Sequence, residues 1–340
     1  MTFPHPMPRL ASALAALGLA CLRAIADDAA PAAQSPSAPP DPARFVIVVG
    51  APGEPQFATN FTRQAAAWNR LAERTHSPAV TLGLDPAQTN DLESLKSTLA
   101  SIPSQSPNPL VLVLIGHGTH DGRDARFNLR GPDLTATNLQ LALAPITRPT
   151  AILNLASASA PFINALARSN RVVLTATRSG SELNATRLGD HLADILDQDA
   201  ADLDQDGDTT LLEAFLAAAT KTAESYKADS RLATEHPLLD DNTDGRGTPA
   251  EWFKGVRATK KAANAAATDG LRAHQTLLVP GPDSTRLTPA QRARRDEIER
   301  SIEALRASRP NPPDNAYWSR LEALLLELAH AQLGPPAANP

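Results

Sequence analysis

Five short apolar runs constrain this chain more than any other feature. They cover residues 45–49, 79–84, 110–115, 151–155 and 171–176, and turn residues follow the first at Gly50, Pro52 and Gly53. Runs that are apolar at consecutive positions, with no polar alternation, are strands covered on both faces. Between them lie stretches with helical spacing at 58–74, 91–102, 136–143 and 162–168. Such alternation predicts an α/β fold, a mainly parallel sheet with helices on both faces. In sheets of this kind ligands and catalytic groups collect beyond the carboxyl ends of the strands. With 42% hydrophobic residues and only 4% aromatics, the core is expected to be packed from Leu, Val, Ile and Ala.

The chain organisation around this sheet is also readable. Residues 1–26 have the pattern of a signal peptide: a weakly basic start, an uncharged apolar stretch over 10–21, and Ala24-Ile25-Ala26 as a small-x-small cleavage site. The apolar stretch is too short for a membrane-spanning helix. Lipidation at Cys21 fits less well, because Gly18 stands where a Leu is expected. An exported protein, periplasmic or extracellular, is therefore expected, with no transmembrane segment after cleavage. Cleavage removes Cys21, the only cysteine, and takes away Arg9 and Arg23 but no acid, moving the net charge from −5 to −7. Disulfides and thiolate metal sites are then excluded. With no basic cluster, nucleic acid is not an expected partner; a protein or peptide partner is, and the oligomeric state is not encoded in any pattern found.

Residues 27–42, mostly Pro, Ala and Ser, read as a disordered tether. The α/β domain spans 43–255, with further helices at 184–196 and 210–227. A connector follows at 256–285, then a helical hairpin at 286–333 interrupted by Pro310, Pro312 and Pro313, and a tail at 334–340. The hairpin carries Ile298, Ile302 and Leu305 on one arm and Leu321, Leu324, Leu325 and Leu328 on the other, and is expected to pack on its own domain.

Two acidic loops lie late in the domain. Asp202, Asp204 and Asp206 occupy positions 1, 3 and 5 of a twelve-residue loop, with Gly207 at 6, Asp208 at 7 and Glu213 at 12. Oxygens at 1, 3, 5 and 7, a glycine for the turn and a bidentate Glu at 12 make the Ca2+ cage of an EF-hand. Thr209 at position 8 departs from the usual Ile or Val. Asp240, Asn242, Asp244, Arg246 and Glu251 repeat the spacing with Gly245 at 6, but Gly247 and Pro249 intrude; this is either a second, weaker Ca2+ site or a polar turn. A structural role for the cation is expected.

The remaining chemistry sits at strand ends. The third run closes on Gly116-His117-Gly118, and the fourth on Ala156-Ser157-Ala158-Ser159. The segments LVLVLIGHGTHDG, AILNLASASAPFI and RVVLTATRSGSELNATR together resemble the caspase, gingipain and legumain clan, closest to bacterial legumain-type peptidase domains, over roughly residues 43–240. The resemblance implies a caspase-like fold. It puts His117 at the catalytic histidine, Gly118 at the oxyanion donor and Ser157 at the position of the catalytic cysteine. A thiol is easily made a thiolate by an imidazole, whereas a serine needs a base, usually oriented by an acid. The resemblance thus implies a catalytically silent domain acting as a binding or scaffold module. The alternative is a serine-dependent peptidase or hydrolase using Ser157 and His117, with Ser159 as a second candidate and Asp121 as the nearest acid in sequence. In the stretch 60–65, where legumains carry an Arg-His pair for Asn or Asp recognition, Thr62 takes the arginine's place with Arg63 beside it.

Overall fold

The computed structural model describes residues 43–198, 201–265 and 267–333; the expected signal peptide, tether and tail lie outside them. The five apolar runs form β1 (Arg44–Val49), β2 (Ala79–Leu82), β3 (Leu110–Ile115), β4 (Thr150–Asn154) and β5 (Arg171–Thr175), paired in parallel in the order β2-β1-β3-β4-β5. Two short strands extend the sheet antiparallel beyond β5. They are β6 (Leu238–Asp240) and β7 (Thr248–Pro249). Pro249 lies on the outermost strand, where the lack of an N–H costs no ladder bond.

Both faces of the sheet are covered, as continuous apolar runs require. On one side Phe45, Ile47, Val111 and Val113 pack with Trp68 and Leu71 of α1 (Pro55–Arg74), Leu192 and Ile195 of α5 (Leu188–Gln198) and Phe215 of α6 (Leu211–Ala228). On the other, Val46, Val48, Leu112 and Leu114 meet Leu95 and Leu99 of α2 (Asp91–Ser101), Leu139 of α3 (Ala136–Ala142) and Phe162 of α4 (Pro161–Leu166). The period of two along each strand sends alternate side chains to opposite layers. The fold is thus mixed α/β with a mainly parallel sheet, and it ends in a helix pair.

That pair is α9 (Pro289–Ala307) and α10 (Asn315–Leu333). A capping box between Thr288 and Gln291 starts α9, and Ile298 and Ile302 bury its inner face. The stretch expected as a connector carries α7 (Leu271–Gln275), a strand at Leu277–Val279 and α8 (Pro282–Arg286). Ala273 and Leu278 join the core beneath the sheet, so this part of the chain is structural rather than a spacer. Gln275 donates to the Asp296 carbonyl and to Glu299, fixing α9 to α7.

Candidate functional site

The register of β3 against β4 matches Leu114 with Asn154. His117 and Ser157 therefore each lie three residues past the last paired position of neighbouring strands. The sheet brings both expected residues to one edge, yet their side chains take up other partners. The Ser157 hydroxyl donates to the Gly118 carbonyl at 3.0 Å and accepts from the Gly118 N–H at 3.1 Å. Ser157 is only 3% exposed. The amide expected to stabilise an oxyanion thus already holds the serine. Gly118 is required here for space, since a Cβ would lie 2.2 Å from the Ser157 carbonyl oxygen. Ser159 is equally occupied, sharing a hydrogen bond of 3.1 Å with the Thr177 hydroxyl and accepting from the Thr177 N–H. Between the two serines Ala158 has φ +52°, a left-handed conformation that costs energy in a residue with a Cβ.

The His117 ring lies edge-on to Phe57 and Phe61 of α1, at centroid distances of 4.5 and 5.1 Å. Burial pushes its pKa down, opposed by the Pro52 carbonyl and by Glu54, which favours the neutral imidazole. No hydrogen bond joins it to Ser157 among the described residues. Beside it Phe57, Phe61, Gly116 and Thr186 line a cavity of about 30 Å³, room enough for a water molecule. Asp121 does not orient the ring: it accepts from the Arg123 and Asp124 N–H groups and from Arg126 at 2.7 Å, and these bonds hold its carboxyl well below the usual range. Arg63 is likewise committed, to Asp190 at 2.6 Å and Asp194 at 2.7 Å on α5.

The first acidic loop draws three of its carboxylates together. Carboxylate oxygens of Asp202, Asp204 and Asp206 lie within 4.8 Å of one another, all three residues exposed. Glu213 reaches back across the loop: Oε1 accepts from the Leu203 and Asp204 N–H groups, and Oε2 from the Thr210 N–H and hydroxyl. Burial raises the Asp206 pKa, with Asp204, Asp208 and Glu213 adding to the shift. The Asp208 carboxylate turns elsewhere, accepting from the Gly281 N–H and the Ser284 hydroxyl, both at 2.6 Å. Only its carbonyl is left for position 7. Residues Thr209–Thr210 bridge to the strand at Leu277–Val279 and not to the second loop.

The second loop is built differently. Asp240 and Asp244 both accept from the Arg246 N–H, and Asn242 accepts from the Asp244 N–H. Oδ2 of Asp244 is buried without a partner. Glu251 lies exposed on a 3₁₀ turn (Ala250–Trp252). Its expected place is taken by Asp269, which the sequence patterns did not single out. Asp269 Oδ1 accepts from the Asp241 and Asn242 N–H groups, and Oδ2 from the Thr248 hydroxyl. These are positions 2, 3 and 9, the same three that Glu213 engages in the first loop. Asp241, also missed, accepts from the Gly270 and Ala273 N–H groups and so caps α7. The buried carboxyls repel one another: desolvation first, then Asp269, raises Asp240 to about 6 and Asp241 to about 7.

No family model matches the sequence, and no curated protein is similar to it. Among solved structures, the Drosophila initiator caspase Dronc is similar at 16% identity and a TM-score of 0.39, covering 61% of this chain and 80% of its own. A protein from Geobacter sulfurreducens is similar at 10% identity and a TM-score of 0.40, covering 58% of this chain and 92% of its own.

Proposed function

We propose that this chain is an exported, calcium-binding, caspase-like domain that has lost peptidase chemistry and works as a binding or scaffold module. The observation that carries this reading is the closed pair of Ser157 and Gly118. A nucleophile must be free to leave its resting hydrogen bonds toward a base, and an oxyanion donor must be unoccupied. Here each satisfies the other, and the histidine expected as base is packed edge-on against two aromatic rings of α1. A fold resemblance by itself does not imply activity. A fluorophosphonate probe on the mature protein tests the silent reading: no labelling is expected, and labelling that disappears in Ser157→Ala would establish the serine hydrolase alternative instead.

The calcium part of the proposal is supported by the two loops. Asp202, Asp204, Asp206, the Asp208 carbonyl and Glu213 are the groups to hold one cation. In the second loop Asp240, Asn242, Asp244 and the Arg246 carbonyl are the candidate ring and Asp269 the candidate closing carboxylate, although among the described residues only the first loop draws three carboxylates within 4.8 Å of one another. Bound Ca2+ would cancel carboxylate repulsion and join segments distant in the chain. A ligand of the folded state alone raises the melting temperature, so Ca2+ should raise it over chelator. Asp202→Ala with Glu213→Gln should remove the part of the shift due to the first loop; an unchanged shift would end the claim for that loop.

A further inference from the structure

The last helix, α10, packs on α9, and Tyr317, Leu321, Leu324 and Leu328 supply its covered side. The opposite side is open and also apolar. Trp318, Leu325 and Leu326 are 50%, 44% and 57% exposed, and no element covers them among the described residues. A helix with leucines on both sides is expected to be covered on both. The open side also reads alike from its two ends. Glu322 and His330 stand four residues either side of Leu326, and Ala323 and Ala329 three residues either side. These four are exposed, and all lie within about 60° of Leu326 around the helix axis. Neither Glu322 nor His330 has an ion-pair or hydrogen-bond partner among the described residues.

We infer that this face docks on the same face of a second copy of the chain, antiparallel, with the two-fold axis at Leu326. A two-fold interface must be self-complementary, and antiparallel pairing about Leu326 makes this one so. It brings each residue before Leu326 level with the residue equally far after it in the other copy. Glu322 then meets His330 of the other copy, twice, the carboxylate accepting from the imidazole N–H. Ala323 and Ala329 let the backbones approach, and Leu325 and Leu326 of the two copies close over one another. Such a polar pair within an apolar seam fixes register. Parallel pairing would instead set Glu322 against Glu322. A lipid surface fits less well, because Glu322 lies within the apolar face, whereas interfacial helices keep their charges on the opposite face. The face lies beyond residue 240, outside the caspase-like part of the chain, and the inference is independent of the calcium and binding-module readings.

Sedimentation equilibrium of the mature protein should show reversible exchange between monomer and dimer. Leu326→Glu, at a position exposed in the monomer, should keep the parent circular dichroism spectrum. It should weaken the dimer by about 100-fold or more, because the two-fold axis buries two unpaired charges at once. Glu322→His and His330→Glu should each weaken it by about tenfold, since each sets like groups against one another. The doubly substituted protein should recover most of the parent affinity, because the exchange restores both contacts. Leu326→Cys in the mature protein should form a disulfide between copies on mild oxidation, and Ser319→Cys, displaced along the helix from the axis, should not. A chain that stays monomeric at its highest soluble concentration overturns the inference. So does a dimer indifferent to Leu326→Glu, a double variant no tighter than the single ones, or cross-linking through Ser319→Cys as ready as through Leu326→Cys. Monomer that sediments with phosphatidylglycerol vesicles, and no longer does so in Leu326→Glu, would assign the face to a membrane instead.

Discussion

The two acidic loops reach the same backbone shape by different means. Each places a non-glycine residue in the left-handed region at position 4, Gln205 and Thr243, and a left-handed glycine at position 6, Gly207 and Gly245. Each is closed by a carboxylate that accepts from the amides of positions 2 and 3 and from the threonine at position 9. In the first loop that carboxylate is Glu213, three residues past the N-cap of a long helix and part of its capping box. In the second, Gly247 turns left-handed and Pro249 leads into a 3₁₀ turn. No helix carries Glu251 back over the loop, and Asp269 arrives from ahead of α7 instead. Closure is a requirement on position in space, and a later segment can meet it.

The difference extends to burial. Asp202, Asp204 and Asp206 are exposed, whereas Asp240, Asp241 and Asp269 are 1%, 2% and 3% exposed. Uncompensated buried charges are costly, and a cation that pairs them is correspondingly stabilising. The second loop, with the poorer motif, should therefore be more strongly coupled to stability. The comparison breaks most directly at Asp269. Asp269→Asn should weaken Ca2+ binding at the second loop by more than about 100-fold, since even residues that only support a metal ligand cost about 10- to 100-fold. Glu251→Gln should leave that affinity unchanged. Calorimetric titration of both variants is the check; the reverse result would restore Glu251 to position 12.

The five strands and most helices are legible in the sequence because periodicity is local: doubly covered strands are continuously apolar, and helices repeat their apolar positions at a fixed spacing. The strand-end placement of His117 and Ser157 was legible for the same reason. What their side chains do was not. Asp121 turns to Arg126, Arg63 to Asp190, and Ser157 to Gly118, and each choice depends on a neighbour brought in by tertiary packing. Strands β6 and β7 are two or three residues long and carry too little pattern to register. Asp269 follows Glu251 by eighteen residues with no fixed spacing; an acid before Gly270 and a short helical stretch was its only local trace.

The next test sharpens the role of Glu213, which serves both as helix cap and as candidate ligand. Gln is also accepted at the third position of a capping box. In chelator, Glu213→Gln keeps one acceptor for the cap but turns an NH2 toward the Leu203 and Asp204 N–H groups, so it should lose stability, though less than the alanine variant. Glu213→Ala, which strips the cap and leaves the Leu203 and Thr210 amides without their acceptor, should lose about 1–2 kcal/mol. Urea unfolding with EDTA measures both, and equal losses would mean that the carboxylate charge itself holds the empty loop together.

The smallest effect expected is a pH dependence of the cation-free protein. Asp240 and Asp241 have folded-state pKa values raised to about 6 and about 7, above their unfolded values near 4. A raised acid favours the folded state while protonated, so this stability is present below about pH 4 and is lost as pH rises through 6 to 7. His117 acts in the opposite sense: its pKa is lowered by burial, so its contribution is present above about 6.5 and lost as pH falls through its folded-state value. Burial lowers His191 in the same way, so the background carrying both His117→Gln and His191→Gln removes that second slope. In it, stability in chelator should decline from pH 5 to pH 8, Asp269→Asn should flatten the decline, and Asp202→Ala should not. Equal flattening by both variants would mean that the two loops share one electrostatic environment, and the contrast in burial would no longer distinguish them.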